Sequence, residues 1–121
     1  MSNALVIKSA NIPFLYEMGR TLFFTVEISF DDVLQVLTGW TFRYVISCKG
    51  CDILFEATLD DYLSVIGTGL VRVNIPPEQL NGLPLGNKGC IHGFEATDSD
   101  GIVWPIFSGE IETIKNPTPT V

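Results

Sequence analysis

Apolar side chains fall at every second position through much of this chain. That period of two constrains it to strands, because successive residues of a strand point to opposite faces of a sheet. In Thr21–Phe30, Leu22, Phe24, Val26, Ile28 and Phe30 share one face, and Thr21, Phe23, Thr25, Glu27 and Ser29 the other. Trp40, Phe42, Tyr44 and Ile46 alternate with Thr41, Arg43, Val45 and Ser47, and Ile53, Phe55, Ala57 and Leu59 with Asp52, Leu54, Glu56 and Thr58. Cys48-Lys49-Gly50-Cys51 joins these two segments. So short a connection containing glycine predicts a hairpin.

The pattern continues to the end of the chain. Val71, Val73 and Ile75 alternate with Arg72 and Asn74 before Pro76-Pro77, where two residues without an amide hydrogen end the ladder. Pro77–Asn81 predicts a single helical turn, with proline at its start and Asn-Gly at its end. A strand at about Cys90–Thr97, a turn at Asp98-Ser99-Asp100-Gly101 and a last strand at about Ile102–Ile114 follow. In that last strand the inward set changes phase near Ser108-Gly109, where Ile102, Trp104 and Ile106 give way to Phe107, Gly109 and Ile111, and a β-bulge at Gly109 accounts for the slip. Short strands with turns roughly every ten residues predict an all-β, immunoglobulin-like antiparallel β-sandwich of about seven to eight strands. Its two sheets are expected to pack on Leu22, Phe24, Val26, Trp40, Phe42, Tyr44, Phe55, Val71, Val73, Phe94 and Ile106. One domain over residues 1–115 suits a chain of 121, leaving 116–121 as an extended, proline-rich tail.

Charge and hydropathy narrow the partners. The 14 acidic and 7 basic residues give a net charge of −7, the wrong sign for a phosphate backbone, so nucleic acid is not an expected partner. No apolar run approaches the roughly 20 residues of a membrane-spanning helix. Residues 1–10 show neither a basic cluster nor a long apolar stretch with a cleavage site, so the expected place of synthesis is the cytoplasm. Hydrophobic residues nevertheless make up 46% of the sequence and charged residues 17%. Phe23, Val45, Leu54, Val103 and Phe107 fall opposite the expected core. Surplus apolar surface of this kind marks contact with other proteins, including further copies of the chain.

The order of features from Leu37 onward resembles the immunoglobulin-like N-terminal domain of phage baseplate upper proteins and related small domains of tailed-phage structural proteins. The segments that carry the resemblance are Leu37-Thr38-Gly39-Trp40-Thr41-Phe42-Arg43-Tyr44, Gly69–Ile75 with Pro77-Glu78-Gln79-Leu80, Leu83-Pro84-Leu85-Gly86, and Thr97–Gly101 with Ser108–Glu112. The resemblance implies a virion component, with no catalytic residues, that assembles with itself and with other virion proteins. It also implies residence in the host cytoplasm during assembly and then in the virion, in a baseplate, neck, adaptor or head-decoration role.

One constellation has ligand chemistry. Cys48 and Cys51 form a Cys-x-x-Cys pair, and Cys90 and His92 share a face of a strand expected beside the one that ends at Cys48. A Cys3His zinc site is therefore geometrically open. Its second half has poor spacing, and the expectation is no metal and no cofactor, with free thiols and a half-buried histidine. A disulfide is the other possibility, disfavoured in a reducing cytoplasm. His92 is the sole histidine, and no serine sits in a Gly-x-Ser-x-Gly turn, so no catalytic residues are assigned and no enzyme is expected. Asp31-Asp32, Asp60-Asp61 and Asp98/Asp100 lack a calcium-loop context and read as turn formers, as do Gly67-Thr68-Gly69 and Gly86–Gly89. A carbohydrate-binding sandwich, stacking sugars on Trp40 and Trp104, is one alternative function, and a small zinc-binding protein using Cys48, Cys51, Cys90 and His92 is another. Trp40 shares the apolar face of its strand, as a core residue would.

Overall fold

The computed structural model describes residues 10–48, 52–86 and 89–115. Eleven strands account for most of them: β1 (Ala10–Asn11), β2 (Phe14–Glu17), β3 (Leu22–Glu27), β4 (Ser29–Phe30), β5 (Val33–Leu34), β6 (Thr41–Cys48), β7 (Asp52–Leu59), β8 (Tyr62–Gly67), β9 (Leu70–Ile75), β10 (Ile91–Thr97) and β11 (Val103–Ile114). The expected helical turn is a 3-10 turn at Pro77–Leu80 that buries Leu80. Among the described residues no helix is long and apolar enough to cross a membrane. The proline-rich tail and the connection between β6 and β7 lie outside them. Pairing of Cys48 with Asp52 nonetheless makes β6 and β7 the expected antiparallel hairpin.

The chain is all-β and mostly antiparallel. Hydrogen bonding follows one path, β1-β11-β10-β6-β7-β8-β9-β3, with β2 also on β11 and the β4–β5 hairpin apart. Where the sequence pattern predicts two separate sheets, the path instead turns a corner between β7 and β8. Thr58 and Asp61 exchange both backbone hydrogen bonds there, at 2.8 and 3.2 Å, and Asp60 and Tyr62 take positive φ angles of 67° and 75°. A tight bend of this kind carries one ladder from one side of a β structure to the other. The two ends of the path then face each other. The Phe24 ring of β3 meets Tyr44 of β6 edge-on at 5.6 Å and Phe107 of β11 at 6.1 Å, so the sheet nearly closes.

The core follows the alternation. Leu22, Val26, Trp40, Phe42, Tyr44, Phe55, Val71, Val73 and Phe94 are buried, with Phe24 and Ile106 partly buried against them. Phe107, which the change of phase puts in the inward set and the surplus of apolar residues puts opposite the core, is inside at 6% exposure. The cause is the position of the bulge. Phe94 pairs with Phe107 and Glu95 with Pro105, which makes Ile106 the extra residue and lets Ile106 and Phe107 both turn inward. Gly109 is not the bulge; it pairs regularly with His92. The long strand expected at Thr21–Phe30 also breaks at Ile28, whose amide bonds Gly69 O before the chain turns into β4. Asp31 and Asp32, with φ of 53° and 64°, form the two-residue turn to β5, and two positive φ angles match the twist of a hairpin.

Candidate functional site

Alternation along β10 turns Cys90, His92 and Phe94 inward, and His92 is 2% exposed. Its ring lies 5.9 Å from Phe14, 5.8 Å from Tyr44 and 5.2 Å from Phe107. Nε2 is 2.7 Å from the carbonyl of Ile12, which only accepts, so Nε2 carries the proton. Nδ1 of the neutral ring is then an acceptor, and the Tyr44 hydroxyl donates to it at 2.9 Å. Burial holds the His92 pKa below 6.5, against a smaller upward pull from the Ile12 carbonyl. Burial also raises the Tyr44 phenol far above its usual range. The outcome is a neutral, fully bonded polar pair within an aromatic cage, which leaves neither imidazole nitrogen free to accept a substrate proton.

The pair fixes the N-terminal strands. β1 and β2 both run parallel to β11, in register with Phe107–Ser108 and with Ile111–Ile114, and Ile12-Pro13 bridges them. Ile12 donates to Ser108 O at 2.8 Å. A Cβ on Gly109 would run into the Ile12 backbone, so glycine is what lets that backbone pass. The Ile12 peptide is thus seated over Gly109 and held by His92, the pairing partner of Gly109 on β10.

Beside this contact a cleft of about 390 Å³ opens between β3 and β11. Phe14, Phe24, Val26, Ile106 and Phe107 line it, His92 forms part of the wall, and Glu27 supplies its one carboxylate. Such a lining suits an apolar group with one basic substituent.

Three of the four residues singled out as metal ligands, Cys48, Cys90 and His92, lie among the described residues. Cys48 and Cys90 form a disulfide, which corrects the expectation of free thiols at these two positions. The reason is register: Ser47 pairs with Ile91, so the next pair on adjacent antiparallel strands is Cys48 with Cys90. Cys51 lies outside the described residues, and both His92 nitrogens are engaged. Among the described residues no group of three or more His, Cys, Asp or Glu side chains is placed to hold a metal ion.

The aspartates expected in turns are found there. Asp98 accepts the amides of Asp100 and Ile102 through Oδ1 and the Trp104 indole N–H through Oδ2, at 2.9 to 3.0 Å. These bonds, the Trp104 one foremost, hold its carboxyl below the usual value. Both tryptophans are committed to packing. Trp40 is buried and stacked on Phe42, and Trp104 rests on Phe30 at 5.1 Å. The Tyr44–His92 pair and the cleft escape sequence reasoning. A lone histidine at an inward position of a strand was the available signal, since burial there obliges it to find partners. Comparison with protein-family models finds no match, and comparison with curated proteins finds none.

Proposed function

We propose that the chain is a non-enzymatic, immunoglobulin-like structural domain that works by associating with itself and with other proteins of a phage virion. The observation that carries the assembly reading is apolar surface left exposed among the described residues. Ile53 and Ile91, each about half exposed at 51% and 52%, flank Ser47 in one register row across β7, β6 and β10. A shallow groove crosses the same outer face over Val45, Gly93, Pro105 and Ser108. Phe23 stands 55% exposed on β3, with the Arg72 guanidinium 5.2 Å over its ring. Specific interfaces bury about 800 Å² per partner around an apolar centre, with a polar rim. Arg43, bonded to Glu56 at 2.6 Å, supplies such a rim beside the groove.

Strand order supports the immunoglobulin-like reading. Strands β8, β9 and β3 follow the D, E and B positions of such a sandwich, and β6, β10 and β11 the C, F and G positions, with β7 beside C. Trp40, buried immediately before β6, stands where these domains place a core tryptophan. The bridge differs. Cys48–Cys90 joins neighbouring strands, whereas antibody domains bridge across the two layers. The virion setting rests on the order of segments from Leu37 onward.

Sedimentation over a tenfold range of concentration tests the assembly reading. A discrete oligomer is expected, dissociated by Ile53→Asp with Ile91→Asp, and a monomer at every concentration would overturn it. Mass spectrometry of purified virions tests the setting.

A further inference from the structure

The inner faces of the sheet meet through Phe24, Tyr44 and Phe107, so the outer faces of β3-β9-β8 and of β7-β6-β10-β11 look away from each other. On the first, Thr25, Arg72 and Ser64 form one register row, and the exposed Phe23 ring beside it carries the Arg72 guanidinium. Arg72 is unmatched. Its Nε hydrogen is buried without an acceptor, and no ion pair among the described residues includes it, whereas Arg20 pairs with Glu17 and Arg43 with Glu56 and Glu95. Glu27, the acidic residue of β3, has its Oε2 3.4 Å from the Ser29 hydroxyl instead. A donor left without an acceptor is a cost to the free chain, and a carboxylate taken side-on by Nε and one Nη removes it.

The opposite face has a notch where the first has a projection. Val45, Gly93 and Ser108 make one register row, between the row of Arg43, Glu95 and Pro105 and the row of Ser47, Ile91 and Glu110. Unlike Gly109, which the Ile12 backbone requires, Gly93 is demanded by no described neighbour. A Cβ there would meet Phe107 O at 3.7 Å and Ser108 Cβ at 3.9 Å, which are ordinary contacts, and its φ is not left-handed. A glycine inside a strand with no such need marks a place where another group comes close. The notch lies in the groove lined by Val45, Ile53, Glu95, Pro105 and Ser108. One cation there faces two carboxylates: Arg43 is 2.6 Å from Glu56 and 3.9 Å from Glu95, so Glu95 is the more loosely held.

We propose that these faces are the two halves of one contact between copies of the chain, in which the Phe23 ring of one molecule seats over Gly93 of the next and Arg72 reaches Glu95 there. The inference rests on the assembly reading and deepens it by naming the contact. A second copy is the occupant because each half supplies what the other lacks: a projecting ring for an empty notch, and a cation without a carboxylate for a carboxylate in excess. Aromatic and arginine side chains dominate interface energetics when they fill such pockets. Held over Phe23, the guanidinium also has less rotamer freedom to lose on docking. At a net charge of −7 the copies repel one another, which favours the approach that brings a positive group to a negative one. Because the joined faces are unlike, association runs from copy to copy and gives a discrete species where the rotation closes.

Sedimentation of full-length variants, singly and mixed, tests it. Phe23→Thr with Arg72→Thr removes the projecting half and keeps strand propensity. Gly93→Leu fills the notch. Each variant alone should be monomeric where the unmodified chain is assembled, with a dissociation constant raised at least about tenfold. In an equal mixture the first variant offers an intact groove and the second an intact Phe23–Arg72 pair, so a dimer with one of each should form and nothing larger. Undiminished association of either variant overturns the proposal, as does a mixture that stays monomeric or regains the full oligomer. Should a melting curve show a variant to be unfolded, Arg72→Glu replaces the first and Ile53→Asp with Ile91→Asp the second. An unmodified chain that is monomeric at every concentration removes the assembly reading and this contact together, whereas any of the other adverse results with an assembled unmodified chain removes the contact alone.

Discussion

The Tyr44–His92–Ile12 arrangement works with a neutral imidazole. A second ring proton would turn Nδ1 into a donor and leave the buried Tyr44 hydroxyl hydrogen without an acceptor. The pH dependence has a definite sign. As pH falls through 6.5 the unfolded chain protonates its histidine while the folded chain, with its lowered pKa, does not. The unfolded state binds more protons, so stability declines from about pH 6.5 down to the folded value and is unaffected by this group above that window. Denaturant titrations between pH 5 and 8 should show the decline, and His92→Phe should flatten it. Tyr44→Phe removes the donor to Nδ1 and should cost about 1–3 kcal/mol at neutral pH, read from the same titrations. Gly109→Ala tests the seat of the N-terminal strand. With Ile12 displaced by the new methyl, amides of Ile12 and of β2 should lose exchange protection while β6 and β10 keep theirs.

Strands with one face buried and the other wet were legible in the sequence, and the others were not. β6, β7, β9 and β10 match their alternation because each pairs on both edges or covers the core along its length. β8 gave no such signal. Leu63 alone of its residues is buried, and Val65 and Ile66 are both exposed, so its pairing with β9 rather than a hydrophobic period defines it. β1 and β2 are too short for a period and depend on β11, a partner about a hundred positions away. The bulge in β11 was legible as a change of phase, but not its place, because Ile106 and Phe107 are both apolar and either side of the slip reads as inward. The cleft was illegible for a similar reason: no local pattern records that β3 and β11 stop short of each other. The Cys48–Cys90 bond belongs at this scale also. It links β6 to β10 across a sequence separation of 42, and a closed loop of that length is worth about 3–4 kcal/mol in the chain-entropy account. Cys90→Ser should lower the denaturant midpoint accordingly, and alkylation before and after reduction should show two additional reactive thiols after reduction.

Two kinds of apolar surface remain once the whole molecule is assembled, and they differ in what can cover them. The cleft is a local recess of about 390 Å³ between β3 and β11, lined by Phe14, Phe24, Val26, Ile106 and Phe107. The face that carries Ile53 and Ile91 is open, and under the assembly proposal a second surface covers it. Ile53→Asp with Ile91→Asp should dissociate the proposed oligomer in sedimentation and leave the slow deuterium exchange of Phe24 and Val26, which pair with β9, unchanged. The bond between Cys48 and Cys90 has a further consequence for how the molecule survives damage. It encloses β7, β8, β9 and the 3-10 turn in a covalent ring, while β1–β6 and β10–β11 lie on the two chain arms outside it. A protease that cuts once in the stretch Asn81–Gly86 opens the ring without parting the arms. The nicked protein should migrate as one band until a reductant is added and as two afterwards, still holding its sheet together in the interval.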